Sequence, residues 1–134
     1  MIAALECKTA ICETHAFIGF LIVAGWFVVF AWGGLAWWPL HREPGRFYWG
    51  LLGVLQGILI LQLLIGLIMW VRNPVPTWLH PLYGAVFPAI ILVIAHVMAR
   101  GMDLEEDRYK IFAVAAFFIF GLTLRALMTG LGVA

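Results

Sequence analysis

The chain has 134 residues, of which 65% are hydrophobic and only 11% charged, and its mean hydropathy is +1.05. Soluble domains are about 45 to 50% apolar and about 25% charged, so most of this surface must face hydrocarbon and a soluble globular fold is excluded. A net charge of +1 with no basic run offers nothing to nucleic acid or to a polyanionic substrate.

The N-terminal stretch "MIAALECKTAICETH" has no basic segment followed by an isolated apolar core, so it does not read as a cleaved signal peptide and the first span is expected to be retained. If this stretch is helical, Cys7 and Cys12 stand about 8 to 9 Å apart at Cα, too far for a disulfide. Spare or buried thiols are therefore expected, since a bridge requires a break in the helix. Cys12 and His15 share a face, which leaves a metal or thiol-redox role for Cys7, Cys12 and His15 as the rarer alternative. The spacing is not the C-x-x-C-H signature of covalent haem.

Four stretches are long and apolar enough to cross a bilayer, which takes about 20 helical residues. They run over roughly 15–38, 47–71, 79–99 and 108–130. The separators "PLHREPGR", "RNPVPT" and "MDLEEDRYK" are short and rich in proline or charge. Such connections place neighbours antiparallel, so the expected fold is an all-α, up-down-up-down four-transmembrane-helix bundle, a single domain over 1–134. Asp103 followed by Glu106 reads as the start of the fourth helix, with carboxylates at the positive end of its dipole. On the second helix, Gly50, Gly53 and Gly57 allow close backbone approach, and Gln62 is placed to reach a neighbour.

Arg42, Arg46, Arg100, Arg108 and Lys110 flank the first and third loops, whereas Lys8, Arg72 and Arg125 belong to the other end. By the positive-inside tendency the first and third loops are cytoplasmic and both termini outside, in a multi-pass protein of the cell (plasma or inner) membrane. Trp37 and Trp38 at one end, and Trp70 and Trp78 at the other, suit interfacial belts.

Ionisable groups inside a bilayer are costly and therefore informative. His15 opens the first span and His80 the third, so their rings are expected at similar depth. Pro81 favours an extended backbone at His80 and is itself comfortable in a first helical turn. Gly19 is four residues after His15 and Gly84 four after His80, so each glycine shares its histidine's face and offers bare backbone to a flat ligand. Haem iron takes axial histidines. Arg125, about 9 Å inside the outer end of the fourth span, would pair with a haem propionate or Glu13, or snorkel to the headgroups. His96 lies one turn inside the opposite boundary, about 160° around the helix from His80 if the helix is regular; a second metal site there would need His41 to fold back. Pro88 between the two makes that angle soft. No serine–histidine, paired-carboxylate or phosphate-loop constellation is present, and the acids at 103–107 read as a solvated turn.

The segments "THAFIGFLI", "LQLLIGLIMW", "HPLYG" and "IAHVMARG", with a late arginine, resemble a family of small four-helix bacterial membrane proteins called cytochrome b, loosely similar to cytochrome b561, over residues 15 to 130. The resemblance implies haem b, one or two, with His15, His80 and His96 as candidate ligands. It also implies a further histidine two residues before Gln62, where Ile60 stands. The resulting expectation is an electron-transfer protein, with a quinone or another redox protein as partner. Its rival is a cofactor-free accessory subunit of a larger membrane complex, or a homo-oligomer, packed through its apolar and glycine-rich surface.

Overall fold

A computed structural model describes residues 9–72 and 78–130. Among these, four helices are long and apolar enough to cross a membrane: α1 (Ala10–Trp37), α2 (Arg46–Arg72), α3 (Leu79–Arg100) and α4 (Arg108–Gly130). The protein is a multi-pass, all-helical membrane protein, and its natural solvent is the lipid bilayer.

Helix ends follow local chemistry. Thr9 is extended and its hydroxyl accepts from the Cys12 amide at 3.3 Å, which satisfies one of the donors a helix start leaves unpaired. This cap starts α1 at Ala10, so His15 is not the first residue of its helix but sits a full turn inside it. At the far end Trp38 turns extended and Pro39 follows, where an α-helix cannot continue. Gly45 enters α2 with φ +89°, a value that favours glycine.

The start of α4 differs from the sequence expectation. A single 3₁₀ turn, Glu105–Asp107, precedes the helix, Leu104 rather than Asp103 is the residue before it, and no side chain caps it. The carboxylates still occupy the first turn, where Glu105 faces Arg108 at 3.7 Å and Asp107 meets Lys110 at 3.0 Å. These three-residue spacings match the helical period.

The helices alternate in direction. Tyr48 at the start of α2 donates to the Tyr109 carbonyl at the start of α4 at 3.3 Å, while His15 near the start of α1 meets Gly66 near the end of α2. In the plane of the membrane α2 packs on α1, α1 on α4 and α4 on α3. The side between α2 and α3 is the least closely packed.

The α1–α4 seam is the core. Trp26, Val29 and Gly33 of α1 meet Ala113, Ala115, Ala116 and Ile119 of α4, all buried. Between helices that share a lipid solvent, small residues matter because they let backbones close up and gain dispersion contact. Gly33 shows the effect, since a Cβ there would stand 2.7 Å from the Ala113 Cβ. Thr123 is buried and returns its hydroxyl to the Ile119 carbonyl at 2.7 Å, so that hydroxyl is satisfied within its own helix. Outward, the large apolar side chains are exposed to lipid, including Trp37, Trp38, Trp70 and Trp78 near the helix ends, as interfacial belts require.

In α3, Leu82–Val86 forms a π turn in which the Phe87 amide donates to the Leu82 carbonyl. Pro88, one residue on, has no amide to offer the regular ladder. A π turn absorbs one extra residue, which removes roughly 100° of rotation and brings His96 to about 60° from His80 instead of about 160°. Both histidines consequently look toward α4. His80 bonds the Ala126 carbonyl, and His96 stacks edge-on against Phe112 with ring centres 5.0 Å apart.

Candidate functional site

At the end of the bundle where α1 starts and α4 ends, all four helices contribute to one cluster. The His15 and His80 rings lie with centroids 6.1 Å apart and planes inclined at 71°, so α1 and α3 bring the two imidazoles to the same depth. Their setting comes from neighbours that the histidine-centred reading did not single out. Gly66 of α2 borders His15, where a Cβ would fall 3.1 Å from Cε1. Gly130 of α4 borders His80, where it would fall 2.9 Å from Cε1. Each ring thus fills a notch cut by a missing side chain on a third or fourth helix.

The hydrogen bonds of the two rings differ. His80 Nδ1 lies 2.8 Å from the Ala126 carbonyl and 3.3 Å from Thr129 Oγ1. A carbonyl only accepts, so Nδ1 carries the proton and Nε2 keeps its lone pair. His15 Nδ1 is buried with no partner. Beside it Gln62 reaches across from α2 and donates Nε2–H to the His15 carbonyl at 2.7 Å, as its place on the helix foretold. That bond fixes the amide orientation and leaves Gln62 Oε1 buried without a donor. Two unmatched polar atoms therefore stand at one site, where burial without a partner is expensive.

His80 is not extended. It lies in the first helical turn, Leu79–Pro81, with Pro81 at φ −65° and ψ −30°. Proline gives up nothing there because a first-turn amide has no helical acceptor, and the bond to Ala126 holds the ring toward α4. Gly19 and Gly84 are engaged in helix contacts. Gly19 faces Gln62 Nε2 at 3.4 Å from a built Cβ, and Gly84 faces the Ala126 Cβ at 3.3 Å. Bare backbone does border the imidazoles, but it belongs to Gly66 and Gly130. No register on α1 or α3 alone signals them, because the pairing is between helices.

Arg125 sits near the same end with its guanidinium carbon 5.9 Å from the centre of the Tyr83 ring, a weak cation–π approach. Among the described residues no ion pair joins it to Glu13. His96 is at the opposite end, its Nε2 2.7 Å from Gln56 Oε1. It lines a cavity of about 430 Å³, whereas His41, left-handed at φ 53°, lines a neighbouring one of about 330 Å³. The structure does not bring His41 and His96 into one ligand set.

Cys12 is disulfide-bonded, which replaces the expectation of a spare thiol. Cys12 lies in the first turn of α1, which begins at Ala10. Cys7 itself lies outside the described residues. Among the described residues no group of three or more His, Cys, Asp or Glu assembles.

The chain matches no family model, no curated protein and no solved structure.

Proposed function

We propose that this chain is a b-type cytochrome of the cell membrane, holding one haem b between His15 and His80 and passing electrons to or from a quinone or another membrane redox protein. The observation that carries the reading is the separation of the two rings. Two metal–nitrogen bonds of about 2 Å, with half an imidazole beyond each, require ring centres roughly 6 to 6.5 Å apart, and the rings stand at 6.1 Å.

The residues around the pair suit such a group. His80 is held by the Ala126 carbonyl in the tautomer that leaves Nε2 free to ligate, the outer-shell arrangement usual for metal-bound histidine. Gly66 and Gly130 keep side chains away from the rings, and Arg72 and Arg125 are cations at this end for propionates. When bound, the group supplies a one-electron couple whose potential depends on axial ligation and burial. His96 is committed to Gln56 and separated from His41, which favours one haem over two. The lysine and arginine distribution supports an orientation with loops one and three in the cytoplasm and this site toward the outer face.

The test is a reduced-minus-oxidised spectrum of purified protein. Haem b absorbance is expected, with most of it lost in His15→Ala and in His80→Ala. Absence of any haem signal, or one indifferent to both substitutions, sinks the proposal.

A second reading is a cofactor-free accessory subunit, favoured by the open face of α2, where a Cβ at Gly50, Gly53 or Gly57 would meet nothing within 4 Å. Comigration with a large complex in gentle detergent, without haem, is its signature.

A further inference from the structure

We infer that the cavity between α2, α3 and α4, at the end away from the imidazole pair, is a binding site for a phospholipid whose headgroup carries both a phosphodiester and an ammonium, as in phosphatidylethanolamine. The inference does not rest on haem.

The cavity has a volume of about 430 Å³ and lies on the side of the bundle where α2 and α3 pack least closely. Its apolar wall is Trp49 against Phe112, edge to face with centroids 5.6 Å apart. Gly53 of α2 also lines it, and a Cβ there would meet nothing within 4 Å. A chain can pass from the cavity into the bilayer over that bare backbone.

Gln56 and His96 form the inner part of the cavity. Their hydrogen bond at 2.7 Å is exposed, and His96 is one turn from the helix end at Arg100, or about 6 Å. At that depth an uncovered polar pair faces acyl chains, which is unfavourable. A headgroup seated above it removes the exposure.

The mouth carries two cations and two anions, Arg100 and Arg108 with Glu43 and Glu105. Arg108 Nε is buried without an acceptor, while the other branch of its guanidinium faces Glu105 at 3.7 Å. A purely anionic headgroup would satisfy the arginines and be repelled by the carboxylates. A zwitterion satisfies both, with its phosphodiester on the guanidinium donors and its ammonium on Glu43 and Glu105.

Native mass spectrometry of the full chain in mild detergent, with phosphatidylethanolamine and phosphatidylglycerol added in equal amounts, tests this. Phosphatidylethanolamine is expected to be retained roughly fivefold over phosphatidylglycerol. Arg108→Gln is expected to reduce its retention by a similar factor. The exposed pair Glu43→Gln with Glu105→Gln, which removes no buried contact, is expected to bring the ratio of the two lipids to about one while total bound lipid persists. Equal retention by the unaltered protein, an unchanged ratio in the double glutamine variant, or unchanged retention in Arg108→Gln overturns the assignment. Displacement of bound lipid by millimolar inorganic phosphate also overturns it, because the anion alone would then be what is recognised.

Discussion

His80 and His15 lie in similar notches but are held very differently. His80 has a carbonyl and a hydroxyl at its Nδ1, while His15 Nδ1 has neither. The difference predicts how each notch tolerates a methyl group. At Gly130 an added Cβ would stand 2.9 Å from Cε1 and 3.2 Å from Nδ1 of a ring that cannot turn without losing its bond. Overpacking costs about 1 to 3 kcal/mol, against which the helix gains about 1 kcal/mol when glycine becomes alanine. Gly130→Ala is thus expected to destabilise the bundle by up to about 2 kcal/mol. At Gly66 the contact is 3.1 Å to one atom of a ring whose nitrogen has nothing to lose, so Gly66→Ala should fall within about 0.5 kcal/mol of neutral. Unfolding midpoints in mixed detergent measure both, and a reversed order would show that His15 is the more firmly held ring.

Among the elements, the α1–α4 seam is where packing decides stability, and two adjacent glycines of α1 separate its faces. Gly33 looks into the seam, where a methyl group would press on Ala113 and on the Tyr48 hydroxyl, 3.0 Å away. Gly34, one residue on, has nothing within 4 Å. Gly33→Ala is expected to lower stability by up to about 2 kcal/mol, and Gly34→Ala to leave it unchanged or raise it by up to about 1 kcal/mol. The same unfolding measurement checks the pair, and equal effects would contradict the seam as the core. The α3 helix makes a different point. Its apolar pattern predicted its span closely, yet regular helical geometry put His96 on the wrong face. The π turn at Leu82–Val86 corrects the register, and its cause, a missing amide at Pro88, was visible in the sequence although its size was not.

For the whole molecule, the proposed orientation rests on where the cations lie. Arg42, Arg46, Arg100, Arg108 and Lys110 gather at the end built from loops one and three, and translocating such clusters is unfavourable. Cysteines introduced at exposed Glu43 and at exposed Trp78 report on the two ends. In intact cells a membrane-impermeant maleimide is expected to label Trp78→Cys and to reach Glu43→Cys only after permeabilisation. The opposite result would invert the bundle and place the imidazole pair on the cytoplasmic side.

By itself the sequence determined the membrane environment, the four spans to within a few residues apart from the start of α1, and the level of His15 and His80. These follow from hydropathy, segment length and short connections, which are properties of consecutive residues. Tertiary structure alone decided that the rings approach to 6.1 Å, that Gly66 and Gly130 rather than Gly19 and Gly84 border them, and that the α2–α3 side stays open over a charged cavity. Each of these depends on the rotation and lateral order of packed helices. Those are set by how side chains on separate spans interlock, and no single helix carries that information in its own periodicity.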